Sequence, residues 1–205
     1  GKGITAPSQR GQVQAIARAY QQAQYEPSSV ELVEAHGTST KVGDATELST
    51  LSTLWKGFEK GNHVAVGSIK SQIGHLKAAA GIAGIIKATM ALHNSVIPPS
   101  AGFETPNPTV DWDNIPFYVP TQSQTWPKPA SNPRRAGVSA FGFGGTNFHI
   151  ALEQFDSVYH TKVADDWQQK RQQKATDGLT IPSILDASAK PSLTHEEIKQ
   201  IEGGL

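Results

Sequence analysis

Two short segments of this sequence place basic and hydroxyl side chains directly after a predicted β-strand. The first segment holds His36 with Thr38 and Thr40, and the second holds Lys70 with His75. Lysine and histidine are costly to bury unless they are paired or used, and α/β proteins keep much of their chemistry where strands end. Imidazoles and an ammonium together supply the hydrogen-bond donors and the positive charge that stabilise a developing oxyanion. These residues are therefore the first candidates for chemistry, and His36, Lys70 and His75 are predicted to converge around one cavity.

A third segment, Gly142–Asn147, is a glycine-rich turn between two predicted strands. It has neither the glycine spacing of a dinucleotide fingerprint nor the Gly-Lys-Ser/Thr of a phosphate-binding loop. Its glycines are interpreted as positions where the backbone takes positive φ or approaches a ligand closely. The other five histidines are interpreted as structural: His63, His93, His149, His160 and His195.

The candidate residues suggest an ion pair but no metal site. Glu47 is the expected partner of Lys70, because a buried ammonium requires a carboxylate. The sequence has no cysteine, no His-x-His or His-x-x-x-His spacing occurs, and His36 and His75 would need a third ligand. A serine hydrolase is disfavoured, since no Gly-x-Ser-x-Gly elbow is present.

Composition and charge exclude several classes of protein. The 205 residues carry 18 basic and 18 acidic side chains, so bulk charge does not indicate binding to nucleic acid or to an anionic membrane. The longest apolar run, residues 78–86, is too short to cross a bilayer, and the first twenty residues lack the apolar region of a signal peptide. A soluble, cytoplasmic protein is expected.

Hydrophobic periodicity predicts the elements that position these loops. Helices are expected from Ser8 to before Pro27, from an N-cap at Asp44 with Glu47 completing a capping box, and through residues 76–94. The last of these helices is rich in Ala, Gly and Ile and is expected to be buried. Strands are predicted at 30–35, 64–67, 117–119, 134–141 and 148–153. This order predicts an α/β fold with a mostly buried, mixed sheet.

The composition changes after about residue 155. Residues 165–174 are charged and rich in glutamine, and a capping box at Thr194 predicts one short helix, ending near Ile201. The predicted organisation is therefore a domain at 1–155 and an irregular linker or docking tail at 156–205.

Three ordered motifs resemble the C-terminal half of a β-ketoacyl synthase of the thiolase fold. They are Glu34–Thr40, Lys70–His75 (with Gln72 where Asn is commoner) and Gly137–Asn147. Within that family the sequence is most similar to the ketosynthase domains of modular polyketide synthases and of multidomain polyunsaturated fatty-acid synthases. The motifs cover roughly residues 1–155 and leave the tail unmatched.

The resemblance implies a role for each histidine of the first two motifs. His36 and His75 would hydrogen-bond the thioester carbonyl of a malonyl extender and stabilise the enolate that forms as carbon dioxide leaves. Lys70, paired with Glu47, would orient His75 and the local water network. The implied reaction is a decarboxylative Claisen condensation of an acyl thioester with malonyl-carrier protein.

The resemblance also implies which residues bind the substrates. Thr38 and Thr40 would hold a phosphopantetheine arm, and Gly144 and Asn147 would contribute to substrate binding. The Phe143 backbone N–H would form half of an oxyanion hole for the acyl thioester, while its ring would gate the acyl pocket. No cofactor is expected to bind directly, because the substrates travel on the phosphopantetheine of an acyl carrier protein.

The family's nucleophile is a cysteine in its N-terminal half, and this sequence contains no cysteine. The chain is therefore expected to be inactive alone and to act with an N-terminal half and an acyl carrier protein, within a homodimer when complete. An alternative is a non-catalytic fragment that docks a carrier protein or a neighbouring synthase domain. A coenzyme A-dependent thiolase is disfavoured, since the lysine–histidine loop suits malonyl decarboxylation. A non-condensing chain-length factor is also disfavoured, because such partners tend to lose these histidines.

Overall fold

The computed structural model describes residues 6–55 and 63–176, and the side chains of the last helix as far as residue 166. The chain divides into two compact units, Gly1–Asp156 and Ser157–Leu205. Among the described residues, no helix is long and apolar enough to cross a membrane.

The first unit is a mixed α/β structure, as predicted. Its helices are α1 (Gln9–Ala23), α2 (Lys41–Leu54), α3 (Lys70–Ile73) and α4 (Ala80–Asn94). Its strands are β1 (Leu32–Glu34), β2 (Val64–Gly67), β3 (Val96–Ile97), β4 (Phe117–Tyr118), β5 (Gln124–Thr125), β6 (Arg135–Phe141) and β7 (Asn147–Glu153). The main sheet has the order β4-β2-β1-β6-β7, and β3 pairs with β5 in a small antiparallel ribbon that the sequence analysis did not predict.

The sheet is mixed because only its last strand runs antiparallel to its neighbour. Strands β4, β2, β1 and β6 are parallel, whereas β7 returns from β6 as a hairpin. Parallel strands are covered on both faces, which explains the continuous apolar run of β2 and the burial of all three residues of β1. One face packs against Ile16 of α1 and Leu51 of α2, and the other against Ala88 and Leu92 of α4.

Helix α2 begins earlier than predicted, and its cap is a different residue. Thr40 is the N-cap, and its side-chain oxygen accepts a hydrogen bond from the Gly43 N–H at 3.2 Å. Asp44 therefore lies inside the first turn, and the prediction of Asp44 as the N-cap is wrong. A hydroxyl three residues before an orphan N–H is placed to cap it, so the helix starts as soon as Thr40 provides that acceptor. The prediction of Ser8 as the N-cap of α1 is confirmed.

Helix α4 is buried on one face only. Small residues on that face, including Gly84 and Ala88, allow the helix to lie close to the sheet. On the opposite face Ile82, Ile86 and Met90 are each more than half exposed, at 54%, 58% and 54%. The expectation of a fully buried helix is therefore correct for the sheet-facing side and wrong for the outer side in this chain.

The second unit contains a helix where the sequence analysis expected an irregular linker. Helix α5 covers Ser157–Thr176, and polar residues dominate it, so no apolar stripe marks it as a helix in the sequence. The short helix expected after Thr194 lies outside the described residues. The assigned role of the tail as a linker or docking segment stays a prediction.

Candidate active site

The two histidine-bearing loops meet at one edge of the sheet. The ends of three parallel strands coincide there, because Glu34 of β1 pairs with Gly67 of β2 and with Val138 of β6. The rings of His36 and His75 consequently lie 5.9 Å apart between centroids, at an angle of 85°. The prediction that the two imidazoles converge is confirmed.

A cavity of about 910 Å³ opens beside these loops. Its wall includes Thr38, Glu47, Lys70 and His75, together with the segment 100–108 that follows β3. Phe141, at the end of β6, places its ring 5.7 Å from that of His36. Chemistry-bearing side chains and an open volume therefore occur together, the usual arrangement of a ligand site.

Glu47 hydrogen-bonds to the backbone of the loop that carries His36, rather than pairing with Lys70. Its two carboxylate oxygens accept hydrogen bonds from the His36 N–H at 2.8 Å and from the Gly37 N–H at 3.0 Å. Burial raises the pKa of Glu47 to about 7, against the opposing effect of these two bonds. The carboxylate therefore determines where the His36 backbone lies.

The predicted ion pair between Lys70 and Glu47 is not formed, since no salt bridge joins them within the described part of the chain. Both oxygens of Glu47 are already occupied by backbone N–H groups. Burial lowers the pKa of the half-buried Lys70, while the charges of Glu34 and Glu47 act in the opposite direction. The lysine that does pair directly is Lys87 of α4, at 2.8 Å from Glu34.

The two histidines differ in what each ring nitrogen contacts. Burial, and then the charges of Lys70 and His75, lower the pKa of His36 to about 4, so its ring is neutral at neutral pH. His36 Nδ1 is buried without a hydrogen-bond partner. His75 Nδ1 accepts the Lys77 N–H at 3.0 Å, which leaves the ring proton on Nε2. His75 therefore presents an N–H donor from its exposed ring.

The glycine-rich turn forms the tip of the β6–β7 hairpin. Gly144 and Gly145 have φ of +72° and +80°, which confirms that this turn uses glycines for positive φ. Phe143 is 75% exposed. The Asn147 side chain lies against α1, where its buried Nδ2 has no hydrogen-bond partner.

The structure thus brings some predicted residues to the cavity and leaves others away from it. Five predicted residues are not among those that line the cavity: His36, Thr40, Phe143, Gly144 and Asn147. The ring of His36 nevertheless lies against that of His75, and Thr40 caps α2. The roles of these five residues stay predictions.

Sequence reasoning missed two buried polar groups near the site. One is the Glu34–Lys87 pair, whose residues are far apart in the sequence. The other joins His149 to Ser139 and to Tyr20, each at 3.0 Å, and fits the structural role expected of His149. Burial lowers the pKa of His149 to about 3, so this ring is neutral. Strand alternation within β6 and β7 predicts that Ser139 and His149 face inward, but no sequence signal identifies their third partner.

The raised pKa of Glu47 makes a prediction about stability. Because this acid binds its proton more tightly in the folded chain, ionising it as the pH rises from about 4.5 past 7 should lower the free energy of unfolding by about 3 kcal/mol. Glu47→Gln should remove that decline. Urea unfolding of both proteins between pH 5 and 8 measures it.

Glu26 provides a matched control, because its side chain is exposed. Glu26→Gln makes the same carboxyl-to-amide change at the surface, so the free energy of unfolding should depend on pH as it does in the wild type. Parallel slopes for wild type and Glu47→Gln would contradict the interpretation of Glu47.

Comparison with protein families identifies the same region. The profile of "Beta-ketoacyl synthase, C-terminal domain" matches residues 1–104, and that of "Ketoacyl-synthetase C-terminal extension" matches residues 106–202. The second match continues past residue 155, where the motif-based resemblance ended.

Among curated proteins, the chain is 48% identical over 160 residues to a polyunsaturated fatty acid synthase polypeptide of Thraustochytrium, covering 74% of this chain and 6% of that protein. It is 47% identical over 152 residues to a phenolphthiocerol/phthiocerol polyketide synthase polypeptide of Mycobacterium tuberculosis, covering 74% and 10%. The chain thus spans a small part of the length of these relatives.

Solved structures show the same similarity in three dimensions. Ketosynthase twelve of the bacillaene polyketide synthase of Bacillus amyloliquefaciens superimposes with a TM-score of 0.72 at 38% identity, covering 76% of this chain and 28% of that one. The ketosynthase from module 6 of the bacillaene synthase of Bacillus subtilis gives 0.72 at 41%, covering 77% and 29%. The fold is therefore that of the C-terminal part of a thiolase-like ketosynthase.

Proposed function

Since this chain belongs to the β-ketoacyl synthase family and matches its C-terminal domain, we propose that it forms part of an enzyme that condenses an acyl thioester with malonyl-carrier protein. Members of this family are acyltransferase-type condensing enzymes. The observation that carries the proposal is the pair of imidazoles, 5.9 Å apart, of which His75 lines the cavity.

In the proposed reaction, the histidines bind the malonyl thioester through its carbonyl oxygen. His75 donates from Nε2, because its Nδ1 already accepts the Lys77 N–H. The neutral His36 ring is proposed to supply the second N–H. As the bond to the carboxylate breaks, its electron pair moves into the thioester, and carbon dioxide leaves. The two donors stabilise the enolate oxygen as negative charge develops on it.

The nearby lysine supports this chemistry through its charge. The positive charge of Lys70 is one reason that the pKa of His36 is low. A neutral His36 carries one N–H and one bare nitrogen, so it binds an oxyanion without introducing a second fixed positive charge beside Lys70. Lys70 in turn lies in the field of Glu34 and Glu47.

The enolate carbon then attacks an acyl group held on a cysteine. We propose that this cysteine lies in a segment of the synthase outside these 205 residues, which contain no cysteine. A thiolate suits the exchange of thioesters and leaves when the new carbon–carbon bond forms. The backbone N–H of Phe143 is the proposed oxyanion donor for this acyl group, and the Phe143 ring gates the acyl pocket. Gly144 and Asn147 are proposed to contribute to substrate binding.

The malonyl group is proposed to arrive on the phosphopantetheine arm of an acyl carrier protein. A cavity of about 910 Å³ accommodates such an arm, and Thr38 lies in its wall. Thr40 uses an oxygen lone pair to cap α2 and keeps its O–H available for donation. A homodimer of the complete synthase is the proposed assembly.

An exposed apolar groove beside the outer face of α4 is consistent with a partner segment that carries the cysteine. Ile73, Leu76, Ile86 and Met90 line a nearly apolar groove there, and all four are at least 43% exposed. Exposed apolar surface of this kind is typical of an interface. The same groove favours the second candidate function, a non-catalytic fragment that docks a neighbouring synthase domain.

The two candidates predict different results for a complete synthase that contains this chain. A condensing enzyme converts acyl thioester and malonyl-carrier protein into a β-ketoacyl thioester with release of carbon dioxide, which mass spectrometry of the carrier protein detects. If the chain only docks a neighbouring domain, the complete synthase leaves both substrates unchanged, and that result would overturn the proposed catalytic role.

A further inference from the structure

One buried carboxylate joins the two loops that carry the candidate catalytic residues. Glu34, the last residue of β1, is 2% exposed. Its Oε1 accepts the Ile69 N–H at 2.5 Å, and its Oε2 accepts from the Lys87 ammonium at 2.8 Å. Strand β1, the start of α3 and helix α4 therefore meet at one side chain.

The surrounding packing leaves room for this carboxylate. A Cβ added to Gly84 of α4 would lie 3.0 Å from Glu34 Cγ, so a larger residue there would require the Glu34 side chain or the helix to shift. The Lys87 side chain is itself 10% exposed. A buried ion pair persists only when hydrogen bonds satisfy its remaining atoms, and the Ile69 N–H provides one of these bonds.

The position of Glu34 in the sequence connects it to the chemistry. It lies two residues before His36, and its partner Ile69 directly precedes Lys70. The charge of Glu34 is also the larger of the two carboxylate influences that raise the pKa of Lys70 against the effect of burial. Glu47, by contrast, is committed to the backbone of the first loop.

We propose that Glu34, held in place by Lys87, is a positioning residue for the condensing reaction: it fixes the Lys70 loop relative to His36, and its charge acts on Lys70. This inference rests on the proposed function. Glu34 thus takes the role that was expected of Glu47. It acts on the Lys70 loop through its hydrogen bond with the Ile69 backbone, and on Lys70 itself through its charge.

The test uses the complete synthase with Glu34→Gln, Lys87→Met and the double variant. Either single change leaves one buried charge without its partner and should lower the thermal midpoint, whereas the double variant should recover much of the loss. Malonyl decarboxylation should nevertheless stay about 10- to 100-fold slower in both variants that lack Glu34, because small misplacements of catalytic groups have effects of that size.

The pH profile separates positioning from general stability. Among the described residues, Lys70 lies in the field of Glu34 and Glu47, and its charge acts on His36. The other charged and titratable groups near it are Lys87, which pairs with Glu34, and His75, Lys41, Asp44 and Glu104, which line the same cavity. Glu34→Gln removes an influence that raises the pKa of Lys70, so Lys70 should lose its proton at a lower pH. The fall in the decarboxylation rate at high pH, the alkaline limb of the pH–rate profile, should therefore move to lower pH. Glu153→Gln is the matched control, because it removes one partner of the Arg135 pair at the opposite end of β6 and should leave that limb in place.

Three outcomes decide the inference. Wild-type decarboxylation and an unmoved alkaline limb in Glu34→Gln would overturn it, as would recovery of both stability and rate in the double variant. If His75→Ala slows decarboxylation while Glu34→Gln does not, only this inference fails. If His75→Ala itself has no effect, the proposed function fails instead.

Discussion

Replacing His75 by alanine in the complete synthase is expected to slow malonyl decarboxylation by roughly 100- to 1000-fold, the usual cost of removing one oxyanion donor. The Lys77 N–H holds Nδ1 of this ring, so the Nε2 proton is available for the extender carbonyl. His36→Ala should have a similar effect, since the His36 ring lies 5.9 Å from the His75 ring. Radiolabelled carbon dioxide release measures both variants.

Acyl loading separates this effect from misfolding. In the proposed reaction the acyl group is transferred to a cysteine before the extender binds, so both variants should still form the acyl-enzyme. His75→Gln keeps an N–H donor in a similar position and should recover part of the lost rate. His63→Ala is the control, because His63 precedes β2 and so lies at the opposite end of that strand from the Lys70–His75 loop. Unchanged decarboxylation in His75→Ala would remove this histidine from the mechanism.

The 205-residue chain alone is expected to form no condensation product. The reaction needs a nucleophile that holds the acyl group while the extender binds, and the sequence contains neither a cysteine nor a serine elbow. Adding a separately produced cysteine-bearing segment of the same synthase should restore product. The measurement is carrier-bound β-ketoacyl thioester by mass spectrometry, with the cysteine replaced by alanine in that segment as the negative control.

A variant of the apolar α4 face tests how the two polypeptides assemble. Ile86→Asp places a charge in the groove and should prevent both assembly and product formation. Ala17→Asp makes a matched change on the exposed side of α1 and should allow both.

Condensation by the 205-residue chain alone would show that it carries its own nucleophile and would refute the need for a second segment.

Much of the fold follows from local sequence patterns. Helical periodicity and the Ser8 cap predicted α1, and the alternation of 148–153 predicted β7 almost to the residue. Boundaries were less predictable, as α2 shows, because Thr40 and Asp44 are both chemically able to cap and only the backbone conformation selects between them. Helix α5 was missed because a helix dominated by polar residues has no apolar stripe to reveal it.

The sequence by itself determined the residue types of the site, their order and their place after strands, and these were sufficient to predict that His36 and His75 converge. It also supplied the family resemblance that the comparisons support. Convergence follows because the carboxyl ends of neighbouring parallel strands meet at one edge of a sheet.

Only the tertiary structure decided which hydrogen-bond donors each buried carboxylate binds. Glu47 and Glu34 are both acidic residues near the first histidine motif, and the sequence favoured Glu47 as the partner of Lys70. In the folded chain the oxygens of Glu47 accept hydrogen bonds from two backbone N–H groups. Those of Glu34 accept from the Ile69 N–H and the Lys87 ammonium. The reason is physical: a buried carboxylate takes the donors that packing brings within about 3 Å, and that depends on how close α4 comes to β1 at Gly84, which no local pattern encodes.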